Sequence, residues 1–197
     1  MNQEEKKLKE LFTSRVRLKI LQLFINRREV FYVRQICREI EEEINAVRRE
    51  LQRLARIGFL QGKTKGNRLY YRLNKKFIFY PELVRLVAKS SGLGQKIIEQ
   101  IEALGQISYV MLALPFVEGR ISTERDVDLL VVGRVRLRLL AQLVQEAEEE
   151  YGREINYSVM TVEEFTFRKK RGDSFIRRVL AQPQIMLWGN EKKFNEF

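Results

Sequence analysis

Val47-Arg48-Arg49-Glu50-Leu51-Gln52-Arg53-Leu54-Ala55-Arg56-Ile57-Gly58-Phe59-Leu60 is the stretch on which the reading of this chain turns. Val47, Leu51 and Leu54 recur at helical spacing, which predicts a helix over Asn45 to Ile57 with one apolar stripe. Gly58 ends it, as a glycine just past a helix commonly does. The opposite face carries Asn45, Arg48, Arg49, Gln52, Arg53 and Arg56. Guanidinium and amide groups bond to guanine and adenine edges in the major groove of DNA and clamp phosphates. Directly downstream, Phe59 to Thr64 and Leu69 to Asn74 read as short strands about the turn Lys65-Gly66-Asn67-Arg68. Lys63, Lys65 and Arg68 tip that hairpin.

Upstream, Ser14 is a candidate N-cap for a helix with Val16, Ile20, Leu21, Leu23 and Phe24 on its apolar side. Val30-Phe31-Tyr32-Val33 reads either as a small strand or as the entry to a second helix, marked by Ile36, Cys37 and Ile40. A helical pair followed at once by a cationic hairpin resembles a winged helix-turn-helix, similar to the arsenic-repressor-like bacterial regulators. The resemblance covers Leu11 to Leu86, and the helix quoted above and the strand ending in Tyr70-Tyr71 carry it. It implies double-stranded DNA as partner and a homodimer that reads two half-sites. Where such domains usually have a Gly-hydrophobic-Ser turn, this chain has Glu41-Glu42-Glu43. Acids suit a helix N-terminus but repel nearby phosphates.

Charge supports the same partner. From Met1 to Gly92 there are 22 Lys+Arg against 10 Asp+Glu, a net of +12, and from Leu93 onward 15 against 16, a net of −1. A basic half releases counterions from a polyanion. At 45% hydrophobic and 32% charged residues, the 197-residue chain has the composition of a folded protein with one large core or two modest ones. No apolar run reaches the length of a membrane span, and MNQEEKKLKE lacks a signal-peptide core, so a cytoplasmic location without membrane contact is expected. With one cysteine and no histidine, disulfides within the chain, zinc fingers and His-dependent triads are excluded.

Phe77 to Ala88, with Pro81 in its first turn, predicts a further helix, and Ser90-Ser91-Gly92-Leu93-Gly94 a linker. Ile97, Ile98, Ile101 and Leu104 mark one amphipathic helix. This stripe and that of Phe77, Leu83, Leu86 and Val87 face either their own cores or a dimer partner. An alternating pattern follows. Strands are expected at Ile107 to Leu114, Asp126 to Val132, Glu154 to Met160 and Ile185 to Trp188. Helices are expected at Leu137 to Tyr151, after the capping box Thr161-Val162-Glu163-Glu164, and at Ser174 to Ala181. Side chains two apart on a strand share a face, so Asp126 and Asp128 converge and offer a site for one Mg²⁺.

The stretch from Ile107 to Asn190 resembles the minimal nucleotidyltransferase domain of the DNA polymerase beta superfamily. The matching parts are Phe116, Gly119, the Asp126-to-Gly133 strand, Gly152 to Tyr157, Glu164-Phe165, Phe175 and Gly189. The family's Gly-Ser pair, which lets the backbone and a hydroxyl reach phosphates, falls on Leu114-Pro115. Arg125 precedes the first Asp where a Ser is usual, and Asn156 takes the register of the third carboxylate, with Glu154 the nearest acid. Two carboxylates without a phosphate cradle supply little of the positioning that nucleotidyl transfer needs.

The expected fold is mixed α+β or α/β: a winged helix-turn-helix over 1–90, then a nucleotidyltransferase-like small mixed sheet with flanking helices over 91–197. The expected function is a DNA-binding transcriptional regulator whose second domain, degenerate as an enzyme, acts as sensor, dimerisation or partner module. The alternative is a Mg²⁺-dependent nucleotidyltransferase acting on a small molecule or protein. The regulator reading requires no cofactor; Mg²⁺ and a nucleotide ligand stay open in it.

Overall fold

A computed structural model of the chain describes residues 14–27 and 29–196. Leu11, where the first resemblance was taken to begin, lies outside them. The fold is mixed α+β, and the chain divides into two compact units at Ser90/Ser91.

In the first unit Ser14 opens α1 (Arg15–Arg27), its Oγ accepting from the Arg17 N–H at 3.2 Å. The apolar face of α1 buries Leu18, Ile20, Leu21, Phe24 and Ile25. Phe31–Tyr32 then forms β1 and Val33–Ile40 forms α2, so both readings of this segment hold in succession. Glu43 caps α3 (Ile44–Arg56), and the chain leaves it through Ile57. β2 (Leu60–Lys65) and β3 (Arg68–Leu73) form the hairpin. Gly66 adopts φ 60°, the positive value that a two-residue type II′ turn places at its first central position. β1 joins the other edge of β3, giving a three-stranded antiparallel sheet in the order β1-β3-β2. Val47, Leu51, Leu54, Phe59, Leu60 and Tyr71 are buried, and the Phe24 ring meets Phe31 edge-on at 5.4 Å.

The expected helix from Phe77 begins later, as α4 (Tyr80–Ser90). The Phe77 N–H donates to the Asn74 carbonyl and the Tyr80 N–H to the Phe77 carbonyl, so two successive turns precede the helix. Pro81 still falls in the first turn, where its missing N–H costs nothing.

The second unit opens with α5 (Gly92–Glu99) and α6 (Ile101–Leu104). The expected linker is thus largely helical, and the single helix expected over Ile97 to Leu104 is broken at Gln100, whose φ of −106° leaves the helical region. Ile97, Ile101 and Leu104 are all buried, which removes them as a dimer surface. Then follow β4 (Gly105–Ala113), α7 (Leu114–Val117), β5 (Leu129–Val135), α8 (Leu137–Tyr151) and β6 (Tyr157–Met160). The unit closes with α9 (Val162–Lys170), α10 (Ser174–Ala181), β7 (Gln184–Trp188) and α11 (Glu191–Asn195). The sheet order is β6-β5-β4-β7, with only β5 and β6 parallel.

Met111, Leu130, Val132, Met160 and Met186 share one core with Phe165, Ile176, Val179 and Phe194. The alternate residues Val110, Leu112, Leu129 and Val131 point to the opposite face and are buried too. The sheet is therefore covered on both sides. Lys169 is buried beside this core and donates from Nζ to the carbonyls of Lys193 (3.2 Å) and Phe194 (2.6 Å), closing the end of α11. Among the described residues no helix is long and apolar enough to cross a membrane.

Gly92 fixes the start of this unit. It has φ 57°, and a Cβ there would run into the Tyr151 hydroxyl, which accepts from the Leu93 N–H at 2.9 Å. Gly92→Ala should lower stability by about 2–4 kcal/mol, combining backbone strain with displacement of Tyr151. In a Tyr151→Phe background the same change should cost less, because the colliding oxygen is gone. Urea denaturation of the four proteins checks this; strictly additive costs would show that Tyr151 is not the obstacle.

Candidate functional site

The Glu43 carboxylate accepts from the Asn45 N–H at 2.7 Å and so sets the first turn of α3. With Val47, Leu51 and Leu54 inside, Asn45, Arg48, Arg49, Gln52, Arg53 and Arg56 are exposed, as are Lys63, Lys65 and Arg68 on the hairpin. These residues differ in how far the fold holds them. Arg53 donates to Glu50 Oε1 at 2.9 Å, and Arg17 of α1 donates to Glu50 Oε2 at 2.8 Å. The Arg68 guanidinium lies 4.9 Å over the Tyr32 ring, whose hydroxyl accepts from Arg38 at 3.3 Å. Arg48, Arg49, Arg56, Lys63 and Lys65 have no ion-pair partner among the described residues.

The acidic run beside α3 is partly engaged by the fold, with Glu41 and Glu43 exposed and Glu42 half-buried. Glu42 pairs with Lys19 (2.7 Å) and Arg15 (3.1 Å), Glu43 is the cap, and Glu41 turns the chain at φ 52°. Glu50, read in the sequence only as part of the helix, is the buried acid of this unit. Burial pushes its carboxyl up, but the hydrogen bond and charge of Arg17, the Ser14 hydroxyl and the Arg53 charge outweigh this and hold it below the usual range.

In the second unit Asp126 and Asp128 lie ahead of β5, not on it. Asp126 closes a turn on Thr123. Its Oδ2 accepts from the Thr123 N–H and hydroxyl, both at 2.8 Å, and its own N–H donates to the Thr123 carbonyl. This closure delays the strand to Leu129. Arg120 donates to Asp126 Oδ1 at 2.8 Å. The Thr123 bonds first, and then the Arg120 charge, hold the Asp126 carboxyl below the usual aspartate range. Asp128 is only 2% exposed and accepts from the Ser122 hydroxyl on Oδ1 (2.5 Å) and the Asn156 N–H on Oδ2 (3.0 Å). Asn156 also donates its side-chain amide to the Thr123 carbonyl, while Glu154 is exposed and outside β6.

Arg153 completes the loop. It donates to the carbonyls of Arg120 (2.7 Å) and Phe116 (2.8 Å), and its guanidinium lies 4.5 Å over the Phe116 ring. Burial lowers its pKa, against the opposing charge of Asp128. No local pattern marks Arg153 or Ser122, because their partners are brought together only by the tertiary fold. Leu114 and Pro115 start α7, and the Leu114 N–H is taken by the Pro183 carbonyl at 2.8 Å.

The residues as placed do not fit Mg²⁺. Each of the four Asp oxygens already accepts from the chain, and Arg120 occupies the place of the counter-cation. Among the described residues no cluster of three or more His, Cys, Asp or Glu has the geometry to hold a metal ion.

Asp128→Ala leaves two donors unpaired and should cost about 2–3 kcal/mol. Asp126→Ala, at a more exposed carboxylate, should cost about 1 kcal/mol. The folded Asp126 is more acidic than the unfolded one, so its contribution is full above the ordinary aspartate pKa and fades as pH falls through the folded value. Asp126→Asn should therefore flatten the loss of stability below about pH 4. Urea denaturation of each variant between pH 3 and pH 7 checks both expectations, and an unchanged acid limb in Asp126→Asn would contradict the second. The chain matches no protein-family model, no curated protein and no solved structure.

Proposed function

We propose that the protein is a cytoplasmic DNA-binding transcriptional regulator. In this reading the first unit is a winged helix-turn-helix: α2 and α3 form the helical pair, α3 enters the major groove, and the β2–β3 hairpin is the wing. The second unit is a nucleotidyltransferase-like domain that no longer catalyses and acts as sensor, dimerisation or partner module.

One observation carries this reading. Arg48, Arg49, Arg56, Lys63 and Lys65 stand exposed, without ion-pair partners among the described residues, on one helix and the hairpin that follows it. Cations that face only water gain free energy from a polyanion by releasing its counterions. Arg49 and Gln52 are assigned to base edges, and Lys63 and Lys65 to phosphates. Arg53 and Arg68, tied to Glu50 and Tyr32, are positioning residues. The non-catalytic role of the second unit rests on the four occupied Asp oxygens and on Leu114-Pro115, which offers no phosphate cradle. Pairing of two copies belongs to the proposal because one small module binds modestly alone. Ile78 (78% exposed) and Phe79 (60%) are apolar surface available for it.

Fluorescence anisotropy with genomic DNA fragments across salt concentrations tests the reading. With five or six phosphates neutralised, log K should fall against log salt with a slope of about −5. Replacing Lys63 and Lys65 by Ala should weaken binding to every sequence and make the slope shallower by about 2. Gln52→Ala or Arg49→Ala should instead relax sequence preference by ~1–3 kcal/mol. An affinity independent of salt, or undiminished by the Lys63 and Lys65 changes, would overturn the proposal.

A further inference from the structure

The second unit contains a cleft of about 450 Å³ between the 124–127 segment, the 155–158 segment and α10. That volume lies in the range of small-molecule sites. Val127 and Ile155, nearly buried at 6% and 4% exposed, line the cleft together with the polar Asn156, Tyr157 and Ser158. Phe175 forms a wall, and Arg178 lies on the same rim with its guanidinium 5.9 Å from the Phe175 ring. Arg125 also lines the cleft, exposed and without an ion-pair partner among the described residues. Of the two acids that line the cleft, Asp126 is already neutralised by Arg120 at 2.8 Å. Two arginines therefore face Glu124 alone.

We propose that this cleft binds a small aromatic anion, its ring against Phe175 and its carboxylate or phosphate met by the arginines that line the same cleft, Arg125 and Arg178. The inference rests on the reading of the second unit as a sensor and gives that sensor its ligand class. Guanidinium groups suit the assignment because their planar donors meet either oxyanion bidentately, and because they stack on a flat ring without losing charge. The Phe175 ring beside the two arginines also separates this ligand from an inorganic ion. The ion gains only from the arginines, whereas an aryl anion gains from both surfaces.

Isothermal calorimetry on the full chain tests the site with phenyl phosphate, benzoate and inorganic phosphate as probes. At least one aryl anion should bind, and inorganic phosphate should bind about tenfold more weakly or worse. Which aryl probe binds tighter distinguishes phosphate from carboxylate. Arg125→Glu and Arg178→Glu should each weaken that probe by about tenfold or more. Arg177→Glu, on the exposed side of the same helix and outside the cleft lining, should leave it unchanged. Arg178→Gln provides a second variant if reversal disturbs folding, as read by melting temperature. No binding of either aryl probe, equal binding of inorganic phosphate, or binding that survives both arginine changes would overturn the proposal. Calorimetry requires no DNA, so failure of DNA binding in the Lys63 and Lys65 variants and failure at this cleft are read separately.

Discussion

The Glu50 carboxylate lies inside the first unit and accepts from Arg17 on α1 and from Arg53 on α3, one oxygen to each. A buried carboxylate is costly unless it is charge-paired, and here both oxygens have cationic donors. Of the two, the Arg17 contact crosses from α1 to α3 and, with the buried Val47, Leu51 and Leu54, sets the rotation of α3 about its own axis. That rotation decides which residues of α3 meet solvent. If the helix turned, the stripe of Arg48, Arg49 and Gln52 would turn with it away from solvent, so the exposure of the cationic face depends in part on the buried contact of Glu50 with Arg17.

The second unit solves a related problem in a loop, again with arginines beside carboxylates. A loop that carries two aspartates next to a sheet would leave carboxylates and carbonyls poorly satisfied. Arg120 compensates Asp126, and Arg153 draws the carbonyls of Phe116 and Arg120 together while its face lies on the Phe116 ring. Asp128 then ties the loop to Asn156, where its own N–H donates back to the Asn156 carbonyl at 2.7 Å. Arg120 thus supplies the counter-charge to Asp126, and Arg153 ties the backbone of the same loop.

Much of the architecture was legible in the sequence because it is written in local periodicity. α3, α8 and α10, the hairpin and the Thr161 cap on the Glu164 N–H all follow from spacing and capping residues within a few positions of one another. The parts that were not legible depend on distant partners. The onset of β5 was placed too early because Asp126 closes on Thr123, and apolar alternation does not register that closure. The helix over Ile97 to Leu104 was read as continuous because its apolar stripe runs unbroken through Gln100, while its backbone does not. In the candidate site, exposure of the nine residues on α3 and the hairpin was predictable from amphipathic pattern. The division between free and tied cations was not, since Glu50 and Tyr32 reach them only through tertiary contacts.

The pairing of β4 with β7 sets an order of events for folding. β4 ends at Ala113 and its edge partner begins only at Gln184, whereas the strand pairings of the first unit are closer in sequence, a hairpin with a two-residue turn and Phe31 with Tyr71. Contacts that are distant in sequence carry a loop-closure cost before they yield any stabilisation, so they form late. A chain emerging from the ribosome completes its first unit while β4 still lacks one neighbour. The cationic face is therefore assembled during the interval in which the second sheet presents an unpaired edge.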